Sequence, residues 1–241
     1  MRKYIWGVRP ILSANNKRGC QVRRLGLVAY DRALSLQRDL TGQRSRAEIP
    51  DTLLLLEHPP TYTLGPKSED SHFMVSKEWL TRHGVAVRRV DRGGAITFHG
   101  PGQLVGYPIL QLKERREIVP YLRNLEAMVI QTLGSFGLEG DREQAPSGQR
   151  PATGVWVNNE KIAAIGVRLD GNNVTSHGFA INVDTDLHYF DKIVSCGLSN
   201  RTATSLNVCL DRPVGMQQVQ SKVVQAFAEV FNYELNDGDQ T

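Results

Sequence analysis

Two stretches of this chain place apolar residues at every third or fourth position, and strand patterns occur in groups before and between them. The first stretch runs from Glu117 to Gly137 and the second follows Pro213, so both predict amphipathic helices. A shorter helix is predicted at residues 30–40, after a first strand that starts near Val22. Further strands are predicted at residues 52–57, 61–64, 85–90, 104–110, 154–157, 161–169 and 174–183. Because strands and helices do not alternate strictly, we predict an α+β protein in which helices flank a mixed sheet.

Composition narrows the class of protein. With 241 residues, 40% of them hydrophobic, the chain can bury a large core without metal or disulfide support. The longest apolar run, Leu53 to Leu56, is far shorter than the roughly 20 residues that span a bilayer. Three cysteines form no paired framework, which favours a reducing compartment. The sequence therefore predicts a cytoplasmic protein and argues against a secreted or membrane-spanning one.

The charge pattern bears on partners and on domain limits. A net charge of +4 favours acidic partners, but the basic residues are scattered, which argues against nucleic acid. Residues 1–20 carry basic but no acidic side chains and are predicted to be a mobile N-terminal extension, with an organellar presequence as the alternative. A single catalytic domain is predicted at residues 21–235, followed by a C-terminal tail at 236–241.

The densest cluster of unusual residues is the segment from Arg92 to Gln103, which contains four glycines, an arginine and His99. Glycine at this density lets backbone N–H groups approach a ligand closely, although a hairpin with a tight turn explains the pattern equally well. The segment lacks the Gly-Lys-Ser/Thr ending of a phosphate loop and the spacing of a dinucleotide fingerprint. The sequence contains none of the usual zinc or serine-hydrolase motifs, and neither a metal nor a cofactor is predicted.

Cys196 is the candidate nucleophile, because the flanking Ser195 and Gly197 leave its sulfur accessible. Only a thiolate attacks, so a cation or base must lower the pKa of this thiol. The alternative is an inert buried cysteine, which is the interpretation given to Cys20, in the extension, and to Cys209, in an alternating apolar stretch.

Lys161 is the candidate partner of this cysteine. It begins a predicted strand, and a period of two would place it on the same buried face as Ala163, Ile165 and Val167. A strand-end lysine that reaches solvent is the alternative. Three histidines, His58, His99 and His177, stand beside glycine or proline and are predicted to be polar groups at loop ends, with His99 and His177 as the next activators of Cys196.

Five ordered motifs together resemble the lipoyl(octanoyl)-protein transferases of lipoate biosynthesis, over a match from about Val22 to Leu206. Ser195 stands where the family more often has proline, and Phe179 and Ile181 stand where leucines are frequent. The motifs are Glu57–Gly65, Arg92–Gln103, Thr153–Val157 with Lys161–Val167, Ser176–Asn182, and Cys196–Gly197.

The resemblance implies a fold shared with the catalytic domains of biotin and lipoate protein ligases. It also implies the first step of protein lipoylation, in which octanoyl-acyl carrier protein donates its acyl group to a lysine of a lipoyl domain. The expected acceptors are the lipoyl domains of 2-oxoacid dehydrogenase complexes and the glycine cleavage H protein. By the same resemblance, Cys196 carries the acyl thioester and Lys161 lowers the pKa of its thiol.

Three stretches match the family's substrate-binding residues. The implied substrate-binding residues are Arg92, Gly93, Gly94, Ala95, Ile96, Thr97, Phe98 and His99, then Ala164, Ile165 and Gly166, and finally Gly178, Phe179 and Ala180.

Two alternative functions stay open. One is an ATP-dependent lipoate or biotin ligase of the same fold, which needs no cysteine nucleophile. The other is a non-catalytic module that binds a carrier protein or nucleic acid.

Overall fold

The structure is a computed structural model that describes residues 17–143, 152–194 and 202–238. Its strands are β1 Arg18–Leu27, β2 Asp51–Glu57, β3 Thr61–Leu64, β4 Ala86–Arg89, β5 Ile96–His99, β6 Gln103–Ile109, β7 Gly154–Val157, β8 Glu160–Leu169, β9 Thr175–Asn182 and β10 Tyr233–Asp237. Its α-helices are α1 Tyr30–Ser45, α2 Lys77–Arg82, α3 Ile118–Gly134, α4 Leu206–Leu210 and α5 Met216–Phe231.

The strands form two sheets. The larger has seven strands in the order β10-β1-β2-β6-β9-β8-β7, and the smaller has three in the order β4-β3-β5. Strand β1 is parallel to both of its neighbours, whereas β2, β6, β9, β8 and β7 pair antiparallel. The predicted α+β architecture with a mixed sheet flanked by helices is therefore confirmed.

Helices cover both faces of the large sheet. Along β2, Leu53 and Leu55 belong to the cluster beneath α3 and α5, whereas Leu54 and Leu56 belong to the cluster beneath α1. This alternation explains why all four consecutive leucines are fully buried, since each face of the strand has its own helical layer. We refer to the two sides as the α3/α5 face and the α1 face.

The small sheet has its own apolar cluster. Phe98 of β5 stacks on Tyr189 at 4.3 Å between ring centroids and also contacts Tyr62 of β3. Ile193 joins the same cluster, so the chain that leads toward Cys196 is packed against this sheet.

The first strand begins earlier than predicted. β1 starts at Arg18, and Cys20, assigned from the sequence to a mobile extension, is buried in the main core. Arg18 pairs with the buried carboxylate of Asp51 at 2.6 Å and lies over the ring of Tyr233, so its charge is accommodated inside the sheet edge. The run of basic residues concealed this strand. At the other end, Asn236 and Asp237, expected in the C-terminal tail, belong to β10.

Two smaller differences concern helices. α1 continues to Ser45 where a stop near Leu40 was predicted. The apolar stretch around Cys209 forms the short helix α4, and the Cys209 sulfur is 3.4 Å from the Thr204 hydroxyl. Among the described residues, no helix is both long and apolar enough to cross a membrane.

Candidate active site

Lys161 is brought to the site by an irregularity in β8. Val155 of β7 pairs with Ala163, but the next residue, Trp156, pairs with Lys161, so Ile162 is an extra residue in β8. Such a bulge interrupts the alternation of side chains.

The bulge decides which face Lys161 occupies. Ile162 and Ala163 are consecutive and both fully buried on the α3/α5 face. Lys161 therefore does not share a face with Ala163, Ile165 and Val167, as a strict period of two predicted. It lies on the α1 face, beside Ala164 and Gly166.

The environment of Lys161 changes its acidity. Burial lowers the pKa of Lys161 from 10.5 to about 8; the Glu143 carboxylate raises this pKa and the Arg92 guanidinium lowers it further. The lysine Nζ lies 5.2 Å from the centroid of the Trp156 ring. Lys161 as a whole is half-buried, and the lowered pKa favours a partly desolvated ammonium over one that reaches freely into solvent.

Two of the predicted binding stretches pair with each other. On neighbouring strands, Ala164 lies opposite Ala180, Ile165 opposite Phe179, and Gly166 opposite Gly178. Ile165 and Phe179 point into the main core, so their small partners line the α1 face. The result is a strip of alanine and glycine that begins three residues after Lys161 and offers little side-chain bulk.

The arginine-glycine loop packs on this strip. The Gly93 N–H donates to the Val167 carbonyl at 3.0 Å. A Cβ on Gly166 would stand 2.8 Å from the Gly93 carbonyl oxygen and 3.2 Å from the Arg92 Cδ. Gly166 is therefore the residue that lets the loop approach β8.

Arg92 is engaged inside the protein. Its guanidinium donates to the Thr63 carbonyl at 2.7 Å, to the Thr63 hydroxyl at 2.8 Å and to the Gly93 carbonyl at 3.0 Å. Burial lowers the pKa of this guanidinium. The side chain thus fixes the shape of the loop, and Gly93 and Gly94 present the exposed part of the predicted stretch.

The remaining residues of this predicted binding stretch, 95–99, point their side chains in two directions along β5. Ile96 and Phe98 fill the apolar cluster of the small sheet. Ala95 and Thr97 are half-buried. His99 points the other way, toward the rings of Tyr30 and His58 at 6.1 and 5.7 Å between centroids.

A chain of hydrogen bonds links His99 to the backbone of Lys161. His99 Nδ1 lies 2.8 Å from Gln103 Oε1, the Gln103 amide donates to Asn182 Oδ1 at 2.9 Å, and the Asn182 amide donates to the Thr204 carbonyl at 2.9 Å. Thr204 N–H in turn donates to the Lys161 carbonyl at 3.0 Å, and Lys161 N–H donates to the Thr202 carbonyl at 3.0 Å.

His58 and His99 lie at strand ends, as predicted, but all three histidines are buried. His58 lies between the Val28 carbonyl and the Tyr107 hydroxyl, each at 2.7 Å, and burial lowers its pKa to about 4. Burial also lowers the pKa of His99, aided by the nearby charges of His58 and Arg92.

His177 contacts the Asp91 carboxylate through Nε2 at 2.8 Å. Burial lowers the pKa of this imidazole, although its hydrogen bond to the Asp91 carboxylate raises it. Its backbone N–H donates to Gln37 Oε1 at 2.8 Å, and its φ of 56° is positive. These contacts hold His177 beside Gly178 at the end of the strip.

Sequence reasoning gave no role to the polar residues that support the site, although Thr63, Gln103 and Asn182 stand in the motifs that carry the resemblance. The other signal was a polar side chain among apolar neighbours, and buried polar groups are usually hydrogen-bonded. The residues are Gln37, Thr63, Gln103, Tyr107 and Asn182.

Cys196, the predicted nucleophile, lies outside the described residues. The described residues on either side of it are held firmly: Val194 N–H donates to the His72 carbonyl at 2.8 Å, and Thr202 pairs with Lys161.

The chain is similar to named proteins over most of its length. Residues 29–228 match the family model of the lipoyl protein ligase A/B catalytic domain. The chain is 50% identical over 211 residues to an octanoyltransferase of Rubrobacter xylanophilus, covering 87% of this chain and 92% of that protein. It is 46% identical over 216 residues to an octanoyltransferase of Chloroflexus aurantiacus, covering 88% and 94%.

Solved structures share the fold at low identity. The putative lipoate protein ligase Ta0514 of T. acidophilum with bound lipoic acid superimposes with a TM-score of 0.73 at 16% identity, over 92% of this chain and 90% of that one. A lipoate-protein ligase A bound with ATP gives 0.71 at 14% identity, over 94% and 90%. The resemblance found in the sequence motifs is thus confirmed, and the chain belongs to the lipoyl protein ligase A/B catalytic domain family.

Proposed function

We propose that the protein is an octanoyltransferase that moves an octanoyl group from octanoyl-acyl carrier protein to a lysine of a lipoyl domain, through a thioester on Cys196. One observation carries the proposal: Lys161, whose pKa is lowered to about 8, is paired through its backbone with residues 202–204, the segment that comes shortly after Cys196 in the chain. The named relatives at 46–50% identity support the choice of acyl group.

The chain length between the anchored residues supports a meeting of the two groups. Cys196 stands two positions after Val194 and six before Thr202. Because an extended residue spans at most about 3.6 Å, six residues reach no farther than about 22 Å, and the chain length is compatible with a meeting of the two groups.

In the first half-reaction, neutral Lys161 takes the proton of the Cys196 thiol. The thiolate attacks the octanoyl carbonyl of the donor, the carbonyl carbon forms a bond to the Cys196 sulfur, and the bond to the carrier's sulfur breaks. The Lys161 ammonium then returns the proton to the leaving carrier thiolate, so the lysine ends neutral.

In the second half-reaction, the amine of the acceptor lysine attacks the Cys196 thioester. An amide forms, the Cys196 thiolate leaves, and Lys161 removes the extra proton from the nitrogen and passes it to the thiolate. The thioester divides one slow aminolysis into two faster steps.

The lowered pKa gives Lys161 this role. At pH 7 a lysine with a pKa of about 8 is neutral in roughly a tenth of molecules, whereas an ordinary lysine is neutral in fewer than one in a thousand. An arginine at this position would hold charge but could not exchange a proton.

The alanine and glycine strip supports binding of a linear acyl chain. Ala164 and Ala180 add little side-chain bulk on the α1 face. The strip is bounded where the Gly93 carbonyl and the Arg92 side chain cover Gly166, and where the Gly106 carbonyl closes on Gly178. Burial of an acyl chain contributes about 0.8 kcal/mol per methylene, which is enough to hold eight carbons during the reaction. The net charge of +4 supports encounter with acidic carrier and acceptor domains, including lipoyl domains and the H protein.

The competing function is an ATP-dependent lipoate ligase, since such enzymes share the fold. Identity to those structures is only 14–16%, so the likeness concerns architecture alone. A ligase passes through an acyl-adenylate and requires no cysteine, and Cys196 would then have no role.

A transfer assay separates the two functions. The full chain is incubated with a lipoyl domain and either octanoyl-acyl carrier protein alone or octanoate with ATP, and the acceptor is weighed by mass spectrometry. Octanoylation with the carrier donor, lost in Cys196→Ser and kept in Cys209→Ser, supports the proposal. Octanoylation that requires ATP, or that survives Cys196→Ser, contradicts it.

A further inference from the structure

Trp156 occupies a defined place relative to Lys161. The register shift at Ile162 sets the two residues opposite each other on adjacent strands, and cross-strand partners share a face of the sheet. The indole is 4% exposed. Its backbone is fixed from the other side as well, since its N–H and carbonyl both pair with Asp141, at 2.9 and 2.8 Å.

Gly154 completes a slot for the lysine side chain. A Cβ added to Gly154 would lie 2.8 Å from the Lys161 Cε and 3.3 Å from the Trp156 Cη2. The absence of a side chain at 154 therefore lets the lysine stem lie flat along β7, with its Nζ over the indole.

The distance of 5.2 Å from Nζ to the ring centroid is within the range in which an ammonium is attracted to the face of an aromatic ring. This attraction exists only for the charged lysine, and tryptophan provides the strongest face among the aromatic side chains. The attraction to the ring therefore raises the pKa of Lys161 and opposes the lowering that burial causes.

We infer that Trp156 is a positioning residue for Lys161, which holds its side chain in the slot and raises its proton affinity so that the buried lysine can exchange a proton near neutral pH. The inference rests on the proposed function for its consequence, but the contact itself is independent of it.

The other charged groups that act on Lys161 lie elsewhere. Glu143, on the chain after α3, raises the pKa of Lys161, and Arg92, from the loop before β5, lowers it. Neither charge belongs to Trp156, so replacing the indole changes the ring and leaves both charged groups in the chain.

Direct titration of Lys161 tests the inference. The ε-methylene signals of isotope-labelled lysines are followed by NMR against pH in the full chain, with Lys161→Met identifying the signal. The wild type should titrate near 8. Trp156→Leu should lower this midpoint by roughly half a unit to one unit, and Trp156→Phe should lower it less.

A second measurement keeps the test sound if Trp156→Leu fails to fold. Fluorinated tryptophan weakens the ring face while keeping its shape, and incorporation into the wild type should lower the Lys161 midpoint by roughly a few tenths of a unit. The matched control is the same fluorine labelling of Trp156→Phe, which retains Trp6 and Trp79. In this variant the Lys161 midpoint should be the same with and without fluorine. An unchanged or raised midpoint in fluorinated wild type overturns the inference.

The pH dependence of acylation separates this inference from the proposed function. If octanoyl transfer occurs, the transfer rate falls on the acid side of its pH profile, and the midpoint of this fall (the acid limb) should shift together with the Lys161 titration midpoint in each variant. If transfer fails while the titration shifts as expected, the proposed function falls and the Trp156 contact stands. Val155→Ala, a change on the same strand but on the opposite face, should alter neither the midpoint nor the limb.

Discussion

His99 and Gln103 are joined by a hydrogen bond of 2.8 Å between Nδ1 and Oε1, and this contact fixes the state of the imidazole. The Gln103 nitrogen is committed as a donor to Phe98 and Asn182, so its oxygen faces the ring and accepts from Nδ1–H. The lowered pKa of His99 keeps the ring neutral, and Nε2 therefore accepts from the Thr63 hydroxyl at 3.3 Å. His99 is thus a fixed part of the support for Lys161 rather than a free base.

Gln103→Leu should destabilise the protein by about 1–3 kcal/mol, because it leaves buried groups of His99 and Asn182 without partners. Urea unfolding at pH 7 measures the loss. Gln111→Leu is the control, since that amide makes its hydrogen bonds at the surface. Equal stability of the two variants would mean that the buried chain contributes nothing to stability.

Gly166→Ala should reduce octanoyl transfer at least tenfold. The new Cβ would contact the Gly93 carbonyl oxygen at 2.8 Å, so the arginine-glycine loop must move away from β8. Gly171→Ala adds the same methyl group to a position with no atom within 4 Å and should retain activity. Initial rates with octanoyl-acyl carrier protein report the difference, and full activity of Gly166→Ala would show that the loop position does not matter.

Lys161→Met should stabilise the fold while it abolishes transfer. The folded pKa of about 8 is below the ordinary value of 10.5, so between these values the unfolded chain binds more protons and stability rises with pH. Removing the buried ammonium should therefore add about 1–3 kcal/mol at pH 7 and progressively less toward pH 10. Urea midpoints at several pH values test this. A variant less stable than the wild type at pH 7 would contradict the burial of the charge.

The wild-type fold should lose stability as pH falls from about 6.5 to 4. The His58 pKa is lowered to about 4, so over this range the unfolded chain is protonated at the histidine while the folded chain is not. A shift of this size corresponds to about 3 kcal/mol, fully lost below pH 4. A flat unfolding free energy between pH 7 and 4 would show that His58 accepts its proton without cost.

The sequence predicted the parts of the fold that depend on local periodicity. The helices that became α3 and α5 were visible because one apolar stripe faces the sheet, and β2 was visible because four leucines are buried on both sides. The bulge was not visible, since Lys161 to Val167 follows a regular strand pattern and only the pairing with β7 shows Ile162 to be extra.

The polar support of the site was beyond sequence reasoning for a different reason. Gln103 and Asn182 are 79 positions apart, and their contact arises only when β6 and β9 pair. The motifs identified Lys161, the Arg92 loop and the two strand stretches, and the structure shows that these lie together. The role of Cys196 stays a prediction.

The central claim is that an octanoyl thioester forms on Cys196 with Lys161 as the proton acceptor. The most direct measurement is peptide mass spectrometry of the full chain, quenched in acid after brief mixing with octanoyl-acyl carrier protein in the absence of ATP and acceptor. The account predicts one octanoyl group on the peptide that contains Cys196, released by hydroxylamine, absent in Cys196→Ser and strongly reduced in Lys161→Arg. An unmodified Cys196 in a preparation that still octanoylates a lipoyl domain would contradict it.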